Sequence, residues 1–172
     1  MPPVGVYAVD RLMGEARRLA AEYRRTTGKT LPISNEIAVA DAIRLLELEP
    51  YEGEEGGVDA IGTGDWAGER IQVKARAFFD ESKGKPRIGQ LAMDKPWDRV
   101  LLVLMDEDYE TFEILAATRA AIEEAMAEKT PSAGRRKRGA MSVARFRIIG
   151  DPVWTREEGR IASPIWTNRP DE

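Results

Sequence analysis

The sequence predicts an α/β domain, a mixed β-sheet flanked by helices with an additional amphipathic helix at its N-terminal end. Three observations lead there: apolar residues at helical spacing in two early segments, alternation from Arg70 to Ala77, and a continuous apolar run from Val100 to Met105.

From Asp10 to Thr27, Leu12, Met13, Ala16, Leu19, Ala20 and Tyr23 recur every three or four residues with Arg17, Arg18, Arg24 and Arg25 between them. That pattern is an amphipathic helix ending near Gly28. A second helix is expected after Leu31-Pro32, capped by Ser34 or Asn35 and running to about Glu47 through Ala38, Val39, Ala42, Ile43, Leu45 and Leu46. A short strand is expected within Leu46 to Tyr51, before a Gly/Glu turn from Glu52 to Gly57.

Val58 to Gly62 and Arg70 to Ala77 read as a hairpin joined by Thr63 to Gly68. In its second strand Ile71, Val73 and Ala75 share one face, and Gln72, Lys74 and Arg76 the other. Asp80 to Trp97 is too long for a passive connector and is expected to be a functional loop or flap. Val100 to Met105 has the composition of a strand buried on both faces. The turn Asp106-Glu107-Asp108 then leads to a strand from Glu110 to Leu115, and Thr118 caps a helix ending near Glu128. A basic loop, Arg135-Arg136-Lys137-Arg138, precedes a strand expected from Val143 to Ile149. These elements form one domain over 1–150; residues 151–172, with Trp154 and Trp166, are expected to be a tail docked by its tryptophans.

The chain of 172 residues contains no cysteine and no histidine, which removes thiolate nucleophiles, His-dependent triads and nitrogen- or sulfur-ligated zinc. Chemistry then falls to carboxylates, amides, hydroxyls, Lys or Arg, with a hard cation if one binds. A net charge of −4 is unlike proteins that coat nucleic acid by bulk electrostatics, so a nucleic-acid role needs local basic patches. No apolar run is long enough to cross a bilayer and the first residues lack the zones of a signal peptide, so a soluble, cytoplasmic protein without membrane contact is expected.

The informative window joins Gly57-Val58-Asp59-Ala60-Ile61 to Arg70-Ile71-Gln72-Val73-Lys74-Ala75-Arg76. Gln72 and Lys74 must be neighbours on one strand face, and the hairpin can bring Asp59 beside them. Phosphodiester hydrolysis needs an activated water, a group to orient it and positive charge for the oxygens that gain charge. Asp59, Gln72 and Lys74 supply those parts around Mg²⁺, which prefers oxygen ligands and keeps several waters.

This window resembles the PD-(D/E)XK superfamily of restriction-endonuclease-like nucleases, whose members carry Asp on one strand and Glu/Gln-x-Lys on the next. Many members place a Glu on the preceding helix, and Glu36 stands at that point. The order of elements from Ile33 to Glu128 follows the same superfamily, and the whole chain is similar to a group of uncharacterised bacterial proteins with this succession. The resemblance implies a restriction-endonuclease-like fold and a Mg²⁺- or Mn²⁺-dependent nuclease acting on nucleic acid, with DNA the expected substrate. It implies Asp59 and Gln72 as metal ligands, Lys74 as the catalytic cation and Glu36 as an accessory carboxylate. Two departures stand out: Pro does not precede Asp59, and Gln72 replaces the commoner Glu, leaving one less negative charge to recruit a cation.

Each residue also has an ordinary structural use. Asp59 would suit a strand end, Lys74 a solvated face, and Glu36 the first turn of any helix. Arg76, Lys83, Lys85, Arg87 and the run Arg135, Arg136, Lys137 and Arg138 are candidates for backbone phosphates, although basic loops are often simply solvated. Trp154 and Trp166 fit core packing or contact with a second copy better than base stacking, and a homodimer stays open. The rival expectation is a nuclease-fold protein that has lost turnover and serves as a nucleic-acid-binding or protein-interaction module. A more distant one is an α/β protein with no link to nucleic acid.

Overall fold

The computed structural model describes residues 5–79, 86–128 and 141–161. Along the chain the helices are α1 (Val6–Thr27), α2 (Ser34–Leu46), α3 (Arg119–Ala127) and α4 (Val143–Ile149). The strands are β1 (Glu49–Pro50), β2 (Ala60–Ile61), β3 (Arg70–Ala77), β4 (Arg87–Ile88), β5 (Arg99–Met105), β6 (Thr111–Thr118), β7 (Met141–Ser142), β8 (Asp151–Thr155) and β9 (Gly159–Arg160). A 3-10 turn from Gly64 to Trp66 lies between β2 and β3. The protein is thus α/β with a mixed sheet.

That sheet has seven strands in the order β1-β2-β3-β5-β6-β8-β9, and β4 and β7 form a separate pair. Among the described residues only β3 and β5 run parallel, with Gln72 level with Val100 and Lys74 level with Leu102. Parallel neighbours need a crossover, which the long segment after β3 supplies. β5 is buried from Val100 to Met105, as its unbroken apolar sequence predicts for a central strand covered on both sides.

The two faces of the sheet carry separate cores. Ile71, Val73, Leu101, Val103, Met105, Ile114 and Ala116 pack against Ala20 and Ala21 of α1 and Ile37, Ala38, Ala42 and Leu46 of α2. The small alanines of α2 allow this close layer, and burying each larger aliphatic side chain contributes about 1.5–3 kcal/mol. Val100, Leu102, Leu104, Leu115 and Ala117 face the other way, onto Ile122 and Ala125 of α3, Val143 and Phe146 of α4, and Leu91 and Trp97. The Gln72/Lys74 face of β3 belongs to this second side.

Helix ends follow local chemistry with one exception. Gly28 closes α1 at φ 72°, and Thr118 caps α3 by accepting from the Ala121 N–H. At α2, however, Ile33 is the N-cap and neither Ser34 nor Asn35 caps from outside, because the helix starts at Ser34 itself.

Two larger expectations are corrected. The segment from Val143 to Ile149 is helix, not strand: Ser142 Oγ accepts from the Arg145 N–H, while Val143 and Phe146, three apart, enter the core. The expected tail begins as sheet, since β8 pairs antiparallel with β6 and then turns back into β9. Trp154 packs against the α1/α2 core, whereas Trp166 lies outside the described residues.

Candidate active site

The candidate site forms where β2 and β3 part. Ala60 and Ile61 pair with Ile71 and Arg70, and the Asp59 N–H still reaches the Ile71 carbonyl at 2.7 Å. One step on, the ladder is continued by a side chain: the Val73 N–H donates to Asp59 Oδ2 at 2.8 Å. A carboxylate in place of a backbone carbonyl ends the pairing and holds Asp59 against the middle of β3.

Burial raises the Asp59 carboxyl above its ordinary value; the Val73 N–H and the charge of Lys74 oppose the shift, and Glu36 adds to it. Burial lowers the Lys74 ammonium, and the charge of Asp59 opposes that. Asp59 therefore senses both Lys74 and Glu36, and Lys74 senses Asp59. Glu36 is exposed in the first turn of α2, where the helix dipole favours an acid. Neither Asp59 nor Lys74 has an ion pair among the described residues. A desolvated acid and amine held this way are a pattern found at reactive sites.

Gln72 is used differently. It is only 1% exposed, its Nε2 donates to the Gly57 carbonyl at 3.2 Å, and its Oε1 accepts from the Ala92 N–H at 3.3 Å. Both ends of the amide are spent on backbone, so Gln72 is a strut joining the turn before β2 to the segment before β5. Gly57 has φ 79°, and a Cβ there would stand 2.7 Å from Lys95 Cβ and 3.1 Å from Gln72 Nε2. Only glycine fits that close approach.

Arg119, the first residue of α3, fixes the segment that covers Gln72. Its guanidinium donates to the carbonyls of Met93 at 2.6 Å, Lys95 at 2.6 Å and Trp97 at 2.9 Å, and stacks 4.5 Å from the Trp97 ring centre. Trp97 is buried, and its Nε1–H donates to the Ala92 carbonyl at 2.6 Å. Lys95 lays its stem along Gly56 and Gly57 at the edge of the site. Arg119, Trp97 and Lys95 were not foreseen from the sequence, because they sit in or far beyond a segment without periodicity.

Among the proposed phosphate-binding residues, Arg76 is exposed on β3 two positions beyond Lys74, and Arg87 is exposed on β4. Lys83, Lys85, Arg135, Arg136, Lys137 and Arg138 lie outside the described residues.

The donors present suit a hard cation in part. Asp59 and Glu36 offer carboxylate oxygens, whereas the Gln72 oxygen is buried and already accepts a hydrogen bond. No cluster of three or more acidic side chains able to hold a metal occurs among the described residues. A Mg²⁺ ion bound here would draw on Asp59, with Glu36 beside it, and complete its shell with water and substrate phosphate. No helix among the described residues is long and apolar enough to cross a membrane. No protein-family model matches the chain, and no curated protein matches it in sequence.

Proposed function

We propose that the protein is a metal-dependent nuclease of restriction-endonuclease-like fold, hydrolysing phosphodiester bonds of nucleic acid, with DNA the preferred class. The single observation that carries this reading is the Asp59–Lys74 locality at the parting of β2 and β3: two partly desolvated, oppositely charged groups, neither with a salt-bridge partner among the described residues. A divalent cation held there supplies Lewis-acid charge to the phosphate and lowers the pKa of a bound water.

The chain's own residues divide the remaining work. Asp59, oriented by the Val73 N–H, would be the carboxylate that holds such a cation. Lys74 orients the attacking water or neutralises the phosphate oxygens, and its ordinary pKa is lowered by the same burial that strengthens its field. Glu36 adds negative charge at the outer edge, and Gln72 positions the two loops that frame the site instead of ligating. Arg76 and Arg87 extend the basic surface along which the strand would lie.

The spent amide of Gln72 favours a second reading, in which the fold binds nucleic acid or protein without turnover. The two are separated by incubating the protein with supercoiled, linear, single-stranded and branched DNA, and with RNA, in Mg²⁺ or Mn²⁺. The nuclease reading expects cleavage that EDTA stops and that Asp59→Ala abolishes. Salt-sensitive DNA binding without cleavage would establish the nucleic-acid form of the second reading, and no binding even at low salt would defeat both nucleic-acid readings and leave protein interaction.

A further inference from the structure

We infer that α1 is a self-association surface, and that a second copy of this chain packs antiparallel against its outer face. The inner face of α1 is accounted for by Ala20, Ala21 and Arg17, which meet α2 and the sheet. The outer face carries Val9, Leu12 and Leu19, exposed by 39, 47 and 59%. Leu12 and Leu19 stand two turns apart on one face, with Val9 three residues before Leu12 and half-buried Tyr23 four after Leu19; Ala16 between them is half-buried and packs against the first core. Large exposed aliphatics at such spacing mark an interaction surface more often than scattered single ones do.

The charges beside this stripe choose the occupant and its direction. Arg11, Glu15, Arg18 and Glu22 are all exposed on one flank, and none has an ion pair among the described residues. A two-fold antiparallel pairing about the middle of the helix brings Leu12 to within one residue of Leu19 of the second copy, with Glu15 near its Arg18 and Arg11 near its Glu22. Ala16, which packs against the first core, adds no bulk between the helices at that point. Like flanks meet only in an antiparallel pair, so the alternation of Arg11, Glu15, Arg18 and Glu22 is complementary to itself in that orientation. The surface is independent of the Asp59–Lys74 locality, so the fate of one proposal does not decide the other.

Sedimentation equilibrium of the full chain over a micromolar to submillimolar range tests the inference. A monomer–dimer equilibrium is expected, weakened at least about tenfold by Leu19→Glu. Reversing Arg11 and Arg18 to Glu should weaken it too, and adding Glu15→Arg and Glu22→Arg to that variant should restore it. Circular dichroism of each variant checks that α1 still folds. A parent that stays monomeric throughout, or a dimer indifferent to Leu19→Glu in a folded variant, would overturn the inference, as would four-fold charge reversal that fails to restore association.

Discussion

Asp41 and Asp59 are both carboxylates drawn inside the protein beside a cation, one on α2 and the other just before β2, yet their surroundings are completed to different degrees. Asp41 is 3% exposed and receives Arg17 Nη2 at 2.5 Å, Thr111 Oγ1 at 2.7 Å and Arg44 Nη2 at 3.3 Å. Arg17 reaches on to Glu110 at 3.1 Å, so α1, α2 and β6 are tied through one acid. Among the described residues Asp59 has one backbone donor and an amine it senses without pairing. A buried charge survives when its neighbours satisfy it; where they do not, the unspent field is available to a ligand.

The largest effect is expected on the completed side. Asp41→Ala leaves the Arg17 guanidinium with Glu110 alone and the buried Thr111 hydroxyl without its acceptor, and should cost about 3–5 kcal/mol in denaturant unfolding. A loss below about 1 kcal/mol would mean that the network is incidental and the contrast with Asp59 empty.

Gln72 sharpens the comparison from within the candidate site. Gln72→Glu keeps the shape but replaces the Nε2 donor by an acceptor facing the Gly57 carbonyl, a change expected to cost about 1–3 kcal/mol. As a strut, the residue should also give no tighter Mg²⁺ binding in that variant. Unchanged stability with tighter binding, read by calorimetric titration, would return it to the role of metal ligand.

A smaller effect, of opposite sign, is expected at Asp59. Its folded-state pKa is raised, so the native state holds that proton more tightly than the unfolded chain. Stability from this group is therefore lost as pH rises from the ordinary carboxylate value through the raised one. Asp59→Asn can still accept from the Val73 N–H without carrying charge, and should melt a few degrees above the parent at neutral pH. Below the ordinary carboxylate range the difference should vanish. A variant that melts lower at neutral pH would show that the Asp59 charge is structurally satisfied after all.

The sequence made the α/β class, the amphipathic α1, the buried β5 and the adjacency of Asp59 to Lys74 legible, because each follows from side-chain period or hairpin geometry. What it hid depends on partners far along the chain. Val143 to Ile149 is rich in branched aliphatics and looked extended, but the Ser142 cap and the Val143/Phe146 spacing decide for helix. Residues 151–155 looked like a tail because Pro and Trp punctuate them; β6 offers an edge that Pro152 tolerates. The strut role of Gln72 could not be read at all, since its partners, Gly57 and Ala92, lie 15 and 20 residues away in loops.

Lys74 is the residue at which activity and stability should part most clearly. Lys74→Met keeps an unbranched apolar stem at this half-buried position and removes an ammonium that burial disfavours. The decisive measurement is single-turnover cleavage of DNA in Mg²⁺ by the parent and by Lys74→Met, with melting temperatures taken on the same preparations. The account predicts a rate at least about 10²-fold lower in a variant that melts no lower than the parent. Cleavage by Lys74→Met at the parental rate, or no cleavage by the parent on any nucleic acid, would contradict it.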